Sequence, residues 1–443
     1  MSLLFLTQFL VTDWAAMSEN RRIFSTTLIF GSSSAVQILC GIFQGKFFAV
    51  FLGPGGVGLV GLFQNILNIV ATIFGLGMNA SVVRELATSD HGPEHRVKSI
   101  QSLALGNIFL GVLGSICIAV FSESISAAIF KDAVSPSDIR LIAYGLTSSL
   151  LAGAGVACLQ GLNRASDLAK AQSISAILSC VLNCLIIFVL NGRGVIYAVI
   201  VPTLISTLAL WFVITKRVHI FFSNSCAWAG WWDQIKLLFF FGIPLMLSAV
   251  VSIASLFLAR IIITNELGIN ELGYYQAAWV ISATYLGFVL NAMGSEYLPR
   301  LSSVINDKKM IAEFVNKQIL ILILFSGPVL IIFLAYSRPI LSLLFSNQFY
   351  DAEKILRFQI FGDLFKLLSW PMGFVLLAQQ RSKVFFLTQL CWNAIYLLTL
   401  WLGVSRHGIY AIGFAYMFAY MIQFILMFGI CREAIGLRLV WRN

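Results

Sequence analysis

Long hydrophobic runs, separated by short polar connections, dominate the chain. A helix needs about 20 mostly apolar residues to cross a bilayer, because its backbone donors and acceptors must be satisfied within the segment. Twelve runs approach or exceed that length: residues 28–51, 57–79, 100–121, 140–162, 171–190, 194–214, 237–263, 274–296, 318–336, 357–379, 384–403 and 409–431. The pattern therefore predicts an all-α integral membrane protein with twelve transmembrane helices.

Lysine and arginine fall mainly on one side of the predicted helices. Of the 29 in the chain, 19 lie in connections and ends on one side, 7 on the other and 3 within helices. Because cytoplasmic connections carry the excess of Lys and Arg, this bias predicts that both termini are cytoplasmic. The amphipathic segment 338–356 is then predicted to lie at the outer surface.

An internal repeat relates the two halves of the chain. Leu52-Gly53 and Leu267-Gly268 follow equivalent helices, and Tyr197-Ala198 and Tyr410-Ala411 open equivalent helices, at a common offset of about 215 residues. Since each half holds six helices, an even number, the repeats are parallel and related by an axis along the membrane normal. A central cleft is expected between the two six-helix bundles.

The repeat predicts three parts of the chain: an N-terminal extension of residues 1–22, an N-lobe of residues 23–222 and a C-lobe of residues 223–443. Residues 1–16 lack the basic start of a signal peptide, and Met17 is a second plausible start. The extension is otherwise expected to lie loosely at the membrane interface.

Composition excludes several classes of protein. Hydrophobic residues make up 59% and charged residues 11%, whereas soluble domains carry about 25% charged residues. The net charge of +10 is spread over short connections, so no nucleic-acid partner is predicted. The eight cysteines show no metal-ligand spacing, so no metal or other cofactor is predicted. No catalytic constellation lies on a sizeable connection, so an enzyme is not predicted.

Two cations within predicted helices occupy equivalent places in the repeats. Lys46 lies near the end of the first helix, and Arg260 lies near the end of the seventh. Ionisable groups inside a bilayer are costly and tend to face a cavity or a partner, so together they could bind a diphosphate in the cleft. Alternatively, each side chain could extend to the nearby membrane surface.

A third cation belongs to a polar stripe on the tenth predicted helix. Gln359, Asp363, Lys366 and Trp370 follow one another at helical spacing. One hypothesis is that Lys366 binds substrate, with Gln359 and Trp370 beside it, while Asp363 acts as a switch. The other is an ion pair that only joins helices.

The second predicted helix carries a stripe of amides and hydroxyls: Asn65, Asn68, Thr72 and Asn79. Their spacing places them on one face, which could bind sugar hydroxyls or could bond to other helices. Glu296, near the end of the eighth predicted helix, is a second candidate for a coupling residue or is only an ion-pair partner.

Three segments resemble the bacterial lipid-linked oligosaccharide flippases: Gly45-Lys46-Phe-Phe-Ala49 with Leu52-Gly53-Pro54, Tyr297-Leu-Pro299-Arg-Leu-Ser302, and Leu344-Phe-Ser346-x-x-Phe349 leading to Gln359-x-x-Gly362-Asp363-x-x-Lys366. The nearest type is the O-antigen and enterobacterial common antigen translocases, of the superfamily that includes multidrug and toxin extrusion (MATE) transporters. The Gly-Asp-x-x-Lys segment is the most specific part. The likeness spans residues 23–432.

This resemblance implies a transporter of the bacterial inner membrane. It would move an undecaprenyl-diphosphate-linked oligosaccharide from the cytoplasmic to the periplasmic leaflet by alternating access, amid membrane lipids and in possible contact with other glycan-assembly proteins. A drug or small-metabolite exporter of the same superfamily is the first alternative. A membrane glycan polymerase or ligase is the second, although it would normally need a large catalytic outer loop. A positive cleft would favour the flippase, and an acidic one the drug exporter.

Overall fold

A computed structural model of the chain describes residues 33–88, 93–130, 135–218, 231–305 and 307–438. These residues form α-helices and short 3-10 turns, without a strand. The helices are α1 (Ser33–Phe51), α2 (Gly53–Gly75), α3 (Met78–Thr88), α4 (Pro93–Val120), α5 (Ser122–Phe130), α6 (Pro136–Gly161), α7 (Ala165–Leu190), α8 (Tyr197–Val218), α9 (Trp231–Glu266), α10 (Ile269–Ser303), α11 (Lys308–Ala335), α12 (Ser337–Leu344), α13 (Ala352–Ala378), α14 (Ser382–His407) and α15 (Ile409–Ile435). The all-α fold is confirmed.

Membrane-spanning helices make up most of the structure. Within the described ranges, 11 helices are long and apolar enough to cross a bilayer. The remaining predicted segment, 274–296, lies in α10, which has 35 residues but is not among those 11. Because α10 packs against α2 and α13 and lines a cavity, it can be more polar than a helix surrounded by lipid.

Large apolar side chains cover the outside of the bundle. Leu208 is 71% exposed and Leu324 is 69% exposed. Exposure on this scale would be a liability in water, but lipid tails solvate these side chains. The chain is a multi-pass membrane protein.

The helices repeat along the chain as predicted. The bounds of α4 and α11 differ by 215 residues at both ends, from 93 to 308 and from 120 to 335. The short helices α5 and α12 start at 122 and 337, again 215 residues apart. The predicted boundary near residue 222 and the predicted extension 1–22 lie outside the described residues.

A backbone break separates α2 from α3 within the segment predicted as one helix. Leu76 and Gly77 have left-handed φ angles of 49° and 68°. This conformation costs an L-residue such as leucine roughly 1–2 kcal/mol, whereas glycine adopts it freely. In α10, the equivalent helix of the second half, the chain continues without a break.

The two bundles meet tightly where α2 and α10 begin. A Cβ atom on Gly58 would lie 2.8 Å from the Gly273 nitrogen, and one on Gly273 would lie 1.9 Å from the Pro54 oxygen. Only glycine lets the two backbones approach this closely. This contact lies on the side of the bundle predicted to face outward, and we call it the outer contact.

The short helix α12 adds a second link on the same side. The Lys46 ammonium of α1 donates a hydrogen bond of 2.6 Å to the carbonyl oxygen of Ser342 in α12. A Cβ atom on Gly53 would lie 3.0 Å from the Gln348 amide oxygen, just beyond α12. The first and second halves are therefore joined on the predicted outer side by both helices and side chains.

Candidate substrate cavity

A cavity of about 800 Å³ lies between the two halves. Its walls come from α2, α3 and α6 of the first half and from α9 and α10 of the second. Amides, hydroxyls and one guanidinium form its polar lining: Gln64, Asn65, Asn68, Thr72, Asn79, Ser149, Arg260, Gln276 and Thr284. The cavity begins at Gly61, roughly 12 Å along α2 from Gly53 at 1.5 Å per residue, so the outer contact lies between it and the predicted outer surface.

The polar stripe predicted on the second transmembrane helix lines this cavity. Asn65, Asn68, Thr72 and Asn79 are all part of the wall. Thr72 donates to the Asn68 carbonyl oxygen at 2.7 Å, and the buried Oδ1 atoms of Asn65 and Asn79 have no hydrogen-bond partner in the structure. Buried unpartnered acceptors are costly, so a bound hydroxyl or amide donor would stabilise them. Their contact with a sugar stays a prediction.

Arg260 places a positive charge at the end of the cavity nearest the α9–α10 turn. It is only 3% exposed. Nη1 donates to the Leu256 carbonyl oxygen at 3.3 Å, and Nη2 donates to Oε1 of Gln276 at 3.0 Å. The guanidinium carbon lies 5.5 Å from the ring centroid of Tyr275, a favourable cation–π distance. The buried Nε–H has no partner in the structure.

In the part of the chain that the structure describes, no carboxylate neutralises the charge of Arg260. Among the described residues, Arg260 forms no salt bridge, and no Asp or Glu lines the cavity. A buried cation normally has an anionic partner, because taking a charge out of water costs several kcal/mol. The cavity is therefore suited to a negatively charged ligand.

Several further cavity residues were not predicted from the sequence, among them Gln276 and Trp279. Gln276 holds Arg260, and Trp279 adds an aromatic wall. Gln276 is a polar residue within the apolar stretch 272–283, and it follows Gly273 by one turn. This spacing was the available signal, although it does not distinguish a cavity from an interhelical hydrogen bond.

Lys46 lies away from this cavity. Its ammonium bonds to Ser342 in the link described above, and it is not part of the lining. Carbonyl groups in the last turn of a helix lack intrahelical partners, so a cation there is stabilising. Although Lys46 and Arg260 occupy equivalent places in the repeat, the structure does not bring them together in one site.

Asp363 is the centre of a buried hydrogen-bond network in the second half. It is fully buried. Oδ2 accepts from Ser282 Oγ at 2.6 Å and from the Tyr285 hydroxyl, and Oδ1 accepts from the Tyr416 hydroxyl at 2.8 Å. The three donors come from α10 and α15, so the Asp363 carboxylate of α13 joins three helices.

Gly362, beside this aspartate, makes room for one of its donors. A Cβ atom on Gly362 would lie 2.5 Å from Cδ1 of Tyr416. The Gly-Asp pair therefore has a physical explanation in this structure. Glycine lets the tyrosine ring approach α13, and aspartate accepts its hydrogen bond.

The other members of the predicted stripe also lie outside the cavity lining. The Lys366 ammonium is 5.4 Å from the ring centroid of Tyr420, and among the described ion pairs it forms none with Asp363. Trp370 stacks on Tyr297, with ring centroids 5.9 Å apart.

Two predicted site residues remain. Gln359 is 2% exposed, and both its amide atoms lack hydrogen-bond partners in the structure. The side chain of Glu296 is outside the described residues. For the members of the stripe and for Glu296, roles in substrate binding or coupling stay predictions.

The chain is similar to several known proteins in sequence and in fold. The putative O-antigen transporter of Shigella flexneri is 27% identical over 387 residues, which cover 85% of this chain and 89% of that protein. The lipid III flippase of Escherichia coli is 22% identical over 419 residues, covering 93% and 97%.

Two solved structures share the fold. One is the inward-facing conformation of a multidrug resistance MATE family transporter of the MOP superfamily, with TM-score 0.70, 15% identity, and coverage of 92% of this chain and 98% of that one. The other is the lipid II flippase MurJ in an inward closed conformation, with TM-score 0.71, 15% identity, and coverage of 91% and 87%.

A family model gives the assignment. The model described as polysaccharide biosynthesis protein matches residues 47–354, which include the cavity walls from both halves and the outer contact. The chain belongs to the polysaccharide biosynthesis protein family.

Proposed function

We propose that this chain is a flippase for a polyprenyl-diphosphate-linked oligosaccharide, an O-antigen or related repeat unit. It binds the head group in the central cavity and moves it from the cytoplasmic to the periplasmic leaflet of a bacterial inner membrane. Its termini are cytoplasmic, as the distribution of Lys and Arg predicts. The names of the relatives support this class of substrate, and undecaprenyl diphosphate is the carrier that we propose.

The observation that carries the proposal is the uncompensated charge of Arg260 in the cavity. A diphosphate offers oxygens that accept charge-assisted hydrogen bonds from a guanidinium. The amides of Asn65, Asn68 and Gln276 line the same cavity and can exchange hydrogen bonds with sugar hydroxyls. One buried cation together with several neutral polar groups matches the chemistry of a glycan attached to a diphosphate.

The same charge argues against the drug-exporter alternative. A cationic drug would meet Arg260 in the cavity, with no carboxylate in the described lining to attract it. Like charges in a cavity of low dielectric repel each other strongly. The cavity therefore selects against cations.

Alternating access is the mechanism that we propose. The outer contact seals the cavity from the predicted outer side, and the glycines that form it allow the helices to separate without unlocking large side chains. A rocking motion of one bundle against the other would open this side and close the opposite side. Asp363 and Lys366, in the second half, are proposed to act as the coupling switch, and Gln359, Trp370 and Glu296 are proposed to assist substrate binding or coupling.

Complementation tests the proposal. The chain is expressed in strains that each lack one defined glycan flippase, and surface glycan is measured by immunoblotting. We expect export to be restored in at least one strain by the wild type and to be lost in Arg260→Gln, with equal amounts of membrane-inserted protein. Arg406→Gln, which removes an exposed cation at the end of α14, is the matched control and should retain export. Normal export by Arg260→Gln would refute the proposed role of the cavity charge.

A further inference from the structure

We propose that Gln276 is a positioning residue for Arg260 and that the outer contact between α2 and α10 holds Gln276 in place. This inference rests on the proposed function, since it concerns the same cavity and the same anionic head group. The Arg260 guanidinium is then correctly oriented for an anion only while the outer contact is closed.

The first step is the hydrogen bond between the two side chains. Nη2 of Arg260 donates to Oε1 of Gln276 at 3.0 Å, and Nη1 is held by the Leu256 carbonyl. The guanidinium plane is therefore fixed by one acceptor from its own helix and one from α10. A long arginine side chain without such acceptors would sample several rotamers, and ordering it on binding would reduce affinity.

Gln276 is itself held in place by α2 at Gly61. A Cβ atom on Gly61 would lie 2.4 Å from Cδ of Gln276 and 2.5 Å from its Oε1. The amide group of Gln276 is thus packed directly against α2 at Gly61, in the other half of the protein. Gln276 can hold Arg260 in this position only because residue 61 has no side chain.

The packing of Gln276 on Gly61 is continuous with the outer contact. Gly58 and Gly273 touch each other one helical turn before Gly61 and Gln276, on the same pair of helices. Separating α2 from α10 at the glycines would therefore lift Gly61 away from Gln276. With its support removed, the Gln276 amide would be free to leave Arg260.

This arrangement couples binding to the position of the two halves. In the closed state, Arg260 is oriented, and a diphosphate binds tightly. When the outer side opens, Gln276 is released, the orientation of Arg260 is lost, and the anion dissociates toward that side. A ligand can shift a conformational equilibrium only by its difference in affinity for the two states. The contacts from Gly61 through Gln276 to Arg260 supply such a difference.

Binding measurements on the purified full-length protein in nanodiscs test the inference. Farnesyl diphosphate and farnesol serve as probes, which differ only in the anionic group, and affinity is measured by calorimetry. The variants are Gln276→Ala, Gly61→Ala and Gly58→Ala. The added Cβ displaces the Gln276 amide in Gly61→Ala and meets the backbone of α10 in Gly58→Ala. Gly287→Ala is the control, since a Cβ atom there meets nothing within 4 Å.

We expect the wild type and Gly287→Ala to bind the diphosphate more tightly than the alcohol. Gln276→Ala, Gly61→Ala and Gly58→Ala should each weaken diphosphate binding roughly tenfold, the lower range for losing a hydrogen bond to a charged group, and leave farnesol binding unchanged. Combining Gly61→Ala with Gln276→Ala should be no worse than Gln276→Ala alone, because both remove the same contact. A merely structural role would reduce binding of both probes.

The outcomes separate this inference from the proposed function. If Arg260→Gln loses the preference for diphosphate while Gln276→Ala and Gly61→Ala keep it, the positioning role is wrong and the anion site stands. Additive losses of affinity in the Gly61→Ala, Gln276→Ala double variant would also refute the proposal that Gly61 acts through Gln276. If the wild type itself shows no preference for diphosphate, the proposed function fails. Should Gly58→Ala not fold, the Gln276 and Gly61 variants still decide the matter.

Discussion

Replacing Asp363 by asparagine and by alanine separates its structural role from its proposed role as a switch. The fully buried carboxylate accepts hydrogen bonds from Ser282, Tyr285 and Tyr416 at the junction of α10, α13 and α15. Alanine would leave three hydroxyls without this acceptor, those of the buried Ser282 and Tyr416 and of the partly buried Tyr285. At about 1–3 kcal/mol for each unsatisfied group, Asp363→Ala should lose between about 3 and 9 kcal/mol of stability.

Asparagine keeps the shape and most of the hydrogen bonds. Its carbonyl oxygen still accepts, and its amide nitrogen can donate to a hydroxyl that has rotated. We expect Asp363→Asn to lose roughly 1–3 kcal/mol, to insert normally and yet to be inactive, because the charge opposite Lys366 is gone. The control Ser282→Ala removes one donor, should cost about 1 kcal/mol and should retain export.

Thermal unfolding of the purified variants gives the order of stability, and surface glycan in a flippase-deficient strain gives activity. Equal stability of Asp363→Asn and Asp363→Ala would refute the structural reasoning. Normal export by Asp363→Asn, or recovery of export when it is combined with Lys366→Gln, would refute the switch. In that case the two residues would serve only to join helices.

Two further predictions concern topology and the outer link. In a background without the eight native cysteines, Tyr350→Cys should react with a membrane-impermeant reagent in cells with a permeable outer membrane, and Met310→Cys only after the inner membrane is opened. The opposite pattern would reverse the orientation. Lys46→Met removes the 2.6 Å hydrogen bond to Ser342, a partly buried contact worth about 1 kcal/mol, and should increase labelling of Asn68→Cys from outside roughly fivefold. An unchanged labelling rate would show that this link does not hold the outer side closed.

The fold was predictable because its signals extend over whole helices. Apolar runs of spanning length give the helices, and a repeated offset of about 215 residues gives the two bundles. The stripe from Asn65 to Asn79 was predictable for the same reason, since four polar side chains on one face must avoid lipid. Its position in the cavity then follows because α2 faces the second half of the protein.

The details of the site depend on contacts that no periodic pattern records. Lys46 and Arg260 are equivalent in sequence, but α12 lies beside Lys46 and supplies a carbonyl acceptor, whereas Gln276 lies beside Arg260. The break at Leu76 and Gly77 interrupts a continuous apolar run. The role of Gln276 depends on the absence of a side chain at Gly61 in the other half, a relation between residues more than 200 positions apart.

Reconstituted transport is the most direct test of the central claim that Arg260 makes the cavity a carrier site for a lipid-linked diphosphate. The purified protein is placed in liposomes with a fluorescent polyprenyl-diphosphate oligosaccharide, and the fraction of label that becomes accessible to a membrane-impermeant quencher is followed over time. We predict translocation by the wild type and by Arg406→Gln, and a rate at least tenfold lower for Arg260→Gln, as expected for losing a charge-assisted hydrogen bond. Equal rates for the wild type and Arg260→Gln, or no translocation by the wild type at all, would contradict the account.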